Sequence, residues 1–204
     1  KRSFEIITEE LGDTPLIPGT ELVVKRCIHT SADFDYARNL CFSPDVIEKA
    51  MDAIKNGACI VTDTQMAKSG INKRALARYG GEVYCFMSDE DVAKIAKERG
   101  VTRAAVSMEK AAQIEKPVIF TIGNAPTALI ELYEMIQSGK YRPAFIIGVP
   151  VGFVNVEAAK DLILKTDVPY IINRGRKGGS NVAAAIMNAL FYMAADDDKE
   201  WRRC

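Results

Sequence analysis

Short apolar runs alternate with longer stretches in which apolar and polar residues recur at helical spacing. The runs are Ala58–Asp63, Glu82–Phe86, Pro117–Ile122, Ala144–Val149 and Pro169–Asn173. Each is nearly continuous in Val, Ile, Phe, Tyr or Cys rather than alternating with polar residues, which predicts strands covered on both faces, as in a parallel sheet. Helical patterns fill the gaps near Asp89–Arg99, Thr102–Glu115, Pro126–Gln137, Val156–Lys165 and Ser180–Ala194. A further helix is expected over Asp45–Asn56, with Ser43 as N-cap, Pro44 in its first turn and Gly57 as its stop. Strands alternating with helices imply βαβ units. The predicted fold is therefore α/β, a doubly wound, mostly parallel sheet with helices on both faces. The first forty residues read as mostly helical, an added N-terminal helical layer over one end of the sheet.

No linker, repeat or low-complexity stretch divides the chain, so residues 1–204 are expected to form a single domain around one sizeable core. The 27 basic and 27 acidic residues cancel to a net charge of +0, which argues against a nucleic-acid partner. No apolar run reaches the roughly 18 residues of a membrane span. Pro143–Val154 is interrupted by Gly148, Pro150 and Gly152, and the first residues lack the order of a signal peptide. Five scattered cysteines form no CxxC pair and, with one histidine, no zinc-ligand cluster. Buried thiols of a reducing cytoplasm are the expectation, with no metal site. The charged tail from Asp196 to Cys204 reads as a solvated, partly disordered end.

In a doubly wound sheet, ligands settle beyond the carboxyl ends of the strands. Four segments fall there: Asp63–Met66, Gly123–Thr127, Pro150–Phe153 and Arg174–Ser180. Arg174-Gly-Arg-Lys-Gly-Gly-Ser180 joins glycines, two arginines and the start of a helix, a combination suited to a carboxylate or phosphate. It has neither the Walker order nor a GxGxxG spacing, and a solvated basic turn is the alternative. Asn124 or Thr127 can cap the helix that begins at Pro126, or meet a ligand. Arg103 stands at the positive end of its helix, a poor place for a cation, so it reads either as kept for a ligand or as a solvated arginine. Asp63 closes a strand as an acid, a cap for the turn at Gln65–Ser69, or a ligand group.

The single histidine, His29, falls in the last turn of a helix starting near Pro18–Glu21. The negative end of the helix dipole, with Asp33 and Asp35 close behind, favours its protonated ring, as a general acid requires. A capping or surface histidine is the other reading. Cys27 lies two positions earlier and points elsewhere on a helix, so no thiol–imidazole dyad is expected.

Taken in order, Ser3-Phe-Glu-Ile-Ile7, Arg26-x-Ile-His29, Gly57-Ala-x-Ile-x-x-Asp63-x-x-Met66-x-x-x-Gly70, Gly123-Asn-Ala-Pro-Thr-Ala-Leu129, Pro150-Val-Gly-Phe-Val154 and Arg174-Gly-Arg-x-Gly-Gly-Ser180 span nearly the whole chain. Together they resemble the precorrin-8X methylmutase family, also called cobalt-precorrin-8 methylmutase. The resemblance implies an isomerase of cobalamin biosynthesis that moves a methyl group from C-11 to C-12 of a tetrapyrrole. The product would be hydrogenobyrinate, or cobyrinate where the ring already holds cobalt. It implies a [1,5]-sigmatropic shift without cofactor or covalent intermediate, and a homodimer with its sites near the subunit interface.

His29 would be the proton donor, with Ser3, Arg26, Asp63, Arg103, Asn124, Thr127, Arg174, Arg176, Gly178, Gly179 and Ser180 as substrate contacts. Arg174 and Arg176 are equivalent on this reading. The rival is a binding protein, for a tetrapyrrole or a phosphorylated metabolite, that has no mutase activity.

Overall fold

The computed structural model describes residues 2–196; the charged tail beyond Asp196 lies outside the described residues. Three helices open the chain: α1 (Arg2–Leu11), α2 (Glu21–Ser31) and the short α3 (Tyr36–Asn39). Strand β1 (Leu40–Phe42) and helix α4 (Val46–Lys55) follow. Next come β2 (Cys59–Thr62), α5 (Gln65–Gly70), α6 (Lys73–Ala77), β3 (Val83–Tyr84), α7 (Glu90–Arg99) and α8 (Arg103–Ala111). The chain ends with β4 (Val118–Ile122), α9 (Pro126–Gln137), β5 (Phe145–Gly148), α10 (Val156–Leu164), β6 (Tyr170–Asn173) and α11 (Ser180–Asp196).

The strands form one six-stranded sheet in the order β1-β6-β5-β4-β2-β3. Every pairing is parallel except β1 with β6, where Leu40 stands opposite Asn173. Alternate residues of the inner strands enter two separate cores. Ile60, Ile119, Ile147 and Ile171 join α1, α2, α4, α6 and α11 on one face. Val61, Phe120, Ile146 and Ile172 join α8, α9 and α10 on the other. Two buried faces are why these strands read as continuous apolar runs.

The first forty residues form the expected helical layer, and two details are corrected. The layer lies across one face of the sheet, with α2 packed chiefly on α11, rather than over one end. It leads into β1, which pairs with β6 at the sheet edge. The cap of α4 is Asp45, at φ +57°, rather than Ser43. Ser43 instead accepts a hydrogen bond from the Tyr170 N–H at 2.8 Å, tying β6 to the turn after β1.

Chain order along the sheet reverses at β2, which places β3 on one side and β4 on the other. The crevice between the carboxyl ends of β2 and β4 is therefore the topological switch point, where open α/β sheets bind ligands.

Candidate active site

Asp63 follows β2 directly and is 1% exposed. Its carboxylate accepts hydrogen bonds from the backbone N–H groups of Gly123 at 2.9 Å, Asn124 at 2.7 Å and Ala125 at 2.5 Å. Burial pushes its pKa above the usual carboxylate value even against those three donors. Asp63 is thus neither a helix cap nor a group facing ligand, because both oxygens are spent on holding the loop after β4. The cap of α5 is Thr64, whose hydroxyl accepts from the Ala67 N–H at 3.0 Å.

The same Thr64 hydroxyl lies 2.7 Å from the hydroxyl of Ser180, the first residue of α11. Gly123 packs against that residue so closely that an added Cβ would sit 2.7 Å from the Ser180 Cα. The segments after β2 and β4 and the start of α11 therefore meet at the switch point. Asn124 is exposed beside them. Neither Asn124 nor Thr127 caps α9: the N-cap is Ala125, with Pro126 in the first turn. The Thr127 hydroxyl accepts instead from the Thr102 hydroxyl at 3.0 Å, which brings the exposed Arg103 to the same rim.

The segment from Arg174 to Ser180 is pinned from several sides. The Gly179 N–H donates to the Val149 carbonyl at 2.9 Å. Gly178 lies against the same strand end, where an added Cβ would be 2.0 Å from the Val149 oxygen. No larger residue fits there without displacing backbone. Arg174 and Arg176 both expose their side chains. Arg176 is paired with Glu157 at 3.3 Å and lies 5.4 Å over the Phe153 ring.

His29 is exposed in the last turn of α2, where it was expected. Its ring stacks on Phe4 of α1, with centroids 5.4 Å apart and planes 26° apart. Arg26, one turn earlier, is held between aromatic rings, 5.0 Å from Phe4 and 4.6 Å from Tyr192 of α11. Its Nε is buried without a hydrogen-bond partner. A cavity of about 320 Å³ opens beside these groups, lined by Arg26, His29, Thr30, Asn181, Asn188 and Tyr192. Asn181 lines the cavity and its side chain lies against the glycine-rich loop, where a Cβ added at Gly179 would be 2.6 Å from Asn181 Oδ1. Ser3 is exposed beside Phe4 on the first turn of α1. Arg103 belongs to the helices on the opposite face of the sheet, away from His29.

Asp33 and Asp35 do not serve the imidazole as expected. Both carboxylates bind Lys177, at 2.7 Å and 2.6 Å, and so clamp the end of α2 to the arginine-containing loop. Cys27 is buried in the core, which pushes its thiol pKa up and leaves it no part in a dyad.

Sequence reasoning missed Tyr192, Asn181 and Lys160 as parts of this region, and reached Phe4 and Lys177 only as members of longer motifs, with no role of their own. Of the three missed, Lys160 left a signal: it shares helical spacing with Val156, Ala159 and Ile163, all buried. Among the described residues, no group of three or more His, Cys, Asp or Glu side chains is arranged to hold a metal ion. No described helix is long and apolar enough to cross a membrane.

Comparison with known proteins bears on this arrangement. A family model described as CbiC: Precorrin-8X methylmutase matches residues 1–193. The chain is 46% identical over 193 residues to the cobalt-precorrin-8 methylmutase of Priestia megaterium, covering 95% of this chain and 86% of that one. It is 37% identical over 192 residues to the precorrin-8X methylmutase of Pseudomonas aeruginosa, with 93% and 92% covered. The solved precorrin-8x methyl mutase from Thermus thermophilus superposes with a TM-score of 0.88 at 37% identity, over 96% of each chain. With the fold, the ordered motifs and these relatives in agreement, the chain belongs to the precorrin-8X methylmutase family.

Proposed function

We propose that this chain isomerises precorrin-8X or its cobalt form, moving the methyl group from C-11 to C-12 in a [1,5]-sigmatropic shift. The observation that carries the reading is the adjacency of two features. Asn181 lines the His29 cavity and also packs against Gly179 of the loop Arg174–Ser180, so one large molecule at this site can meet an acid and an anion grip together.

His29 donates a proton or hydrogen bond to the nitrogen of the ring that carries the migrating methyl. That withdraws electron density from the ring as the methyl carbon breaks one bond and forms the next. The proton returns afterwards, so the net change is the methyl position alone and no oxidant or reductant is required. Phe4 fixes one face of the imidazole, leaving its edge for substrate. A rearrangement within one bound molecule gains most from such orientation.

The acetate and propionate groups of the macrocycle call for the donors on the rim. Ser3, Arg26, Arg103, Asn124, Thr127, Arg174, Arg176, Gly178, Gly179 and Ser180 supply them in this reading. Asp63 contributes by shaping the Gly123 loop. A cavity of about 320 Å³ takes one edge of a tetrapyrrole, and the rest spreads over the rim. Val151, Phe153 and Val154 are exposed along that rim, at 46%, 82% and 77%. Such an apolar group suits a second copy of the chain closing over the substrate. We accordingly infer a homodimer of single-domain subunits acting in the cytoplasm.

Incubation of the protein with precorrin-8X or cobalt-precorrin-8, followed by absorption spectroscopy, tests the function. The expected result is conversion to the hydrogenobyrinate or cobyrinate spectrum. Binding without conversion would leave a carrier in place of a mutase.

A further inference from the structure

The loop Arg174–Ser180 rests on a lysine that the reaction does not use. Lys160 lies on the apolar side of α10 and is fully buried. Its ammonium donates to the Gly175 carbonyl at 2.6 Å and to the Lys177 carbonyl at 3.0 Å. The Lys177 carbonyl also accepts from Asn173 Nδ2 at 2.9 Å. Neutral carbonyls are thus the bonded partners of a buried cation, an arrangement that costs folding free energy.

The surrounding charges do not offset that cost by direct bonding. Glu157, on the same helix, acts on Lys160 from a distance while pairing with Arg176. The loop adds Arg174, Arg176 and Lys177, and the last is held by Asp33 and Asp35. From β6 comes Asn173, and α9 meets α10 in an apolar cluster through Leu129 and Leu132. Burial lowers the pKa of Lys160 to about 8.

Peptide geometry shows what this cost secures. In a planar trans peptide, the C=O and the following N–H point in opposite directions. Drawing the Gly175 and Lys177 carbonyls inward therefore turns the N–H groups of Arg176 and Gly178 outward. Those N–H groups belong to the residues whose side chain or closeness to Val149 shapes the grip. We propose that Lys160 is a positioning residue for substrate binding: it holds these two amides toward a substrate carboxylate and sets a fixed positive charge beneath them. The proposal rests on the reading that this loop grips tetrapyrrole carboxylates.

The test compares wild type with Lys160→Met, which keeps the chain length and removes charge and donors. Steady-state kinetics and absorption titration with hydrogenobyrinate are the readouts. The expected result is about a tenfold rise in KM and in the Kd for hydrogenobyrinate, with kcat within about threefold of wild type, because the loop holds substrate and transition state alike. In wild type, KM should rise between about pH 7 and 9.5 as the lysine loses its charge, and the variant should show a flat profile. Hydrogenobyrinate binding by Lys160→Met as tight as wild type overturns the proposal and leaves the mutase reading intact. Should the variant fail to fold, a wild-type KM constant over that pH range overturns it equally. A wild-type protein that neither binds nor converts the corrinoid overturns the mutase reading, and this inference with it.

Discussion

The imidazole of His29 stacks on the ring of Phe4, centroids 5.4 Å apart. The contact joins the last turn of α2 to the first turn of α1, and Arg26 stacks on the same phenyl ring. One aromatic side chain therefore orients both the proposed acid and a proposed carboxylate partner. His29→Ala should lower kcat by about 10²–10⁴, the usual worth of a positioned general acid, while hydrogenobyrinate still binds. Undiminished turnover would remove His29 from the chemistry. Phe4→Leu keeps apolar bulk and loses the flat stacking face, so a smaller fall in kcat is expected, on the order of tenfold. Single-turnover absorbance changes measure both.

Asp63 should matter for stability before activity. Asp63→Ala strands the N–H groups of Gly123, Asn124 and Ala125. Leaving buried donors unpaired costs about 1–3 kcal/mol each where water cannot reach them. Gly123 is buried and Asn124 exposed, so a loss on the order of 3 kcal/mol in urea unfolding is expected. Asp63→Asn keeps one acceptor oxygen and should lose less. Equal stability of Asp63→Ala and wild type would show that the loop after β4 holds itself.

Much of this architecture is legible in the residue pattern, for a physical reason. Strands with both faces buried carry unbroken apolar runs, and helices ending at residues such as Gly100 or opening at Pro126 announce their limits. β1 is not legible, because Leu40–Phe42 owes its strand conformation to pairing with β6, over a hundred residues away. The site divides in the same way. The place of His29 follows from local helix periodicity, whereas its neighbours Phe4 and Tyr192 follow only from packing of α1 and α11 on α2. Asp63 looked versatile because its three partners lie some sixty residues further on. Asp33 and Asp35 sit near His29 in sequence, yet a lysine from a distant loop claims them.

Lys160 should leave a signature in the pH dependence of stability. Its pKa is about 8 in the fold against the ordinary 10.5. Between those values the unfolded chain holds more protons than the folded one, so the lysine's contribution to stability rises with pH across that window. Below about pH 8 both states are protonated and the contribution is flat. The urea midpoint of wild type relative to Lys160→Met should therefore climb from about pH 8 toward 10.5. A constant difference would mean that the amine is not desolvated.

Phe153 tests the inferred homodimer. Its ring is 82% exposed, flanked by Val151 and Val154, with Arg176 lying over one face. A large apolar side chain left in water at the mouth of a polar rim is unfavourable unless something covers it, and in the inferred homodimer a second subunit would do so while closing the site. An aspartate removes the apolar surface that such a contact covers, and burying its charge costs desolvation even with Arg176 nearby. Phe153→Asp should thus shift sedimentation from dimer toward monomer. Turnover should fall in parallel at low protein concentration and recover in part as concentration rises, since mass action restores the dimer. A variant that sediments as wild type and keeps full activity at every concentration would place the subunit contact elsewhere on the molecule.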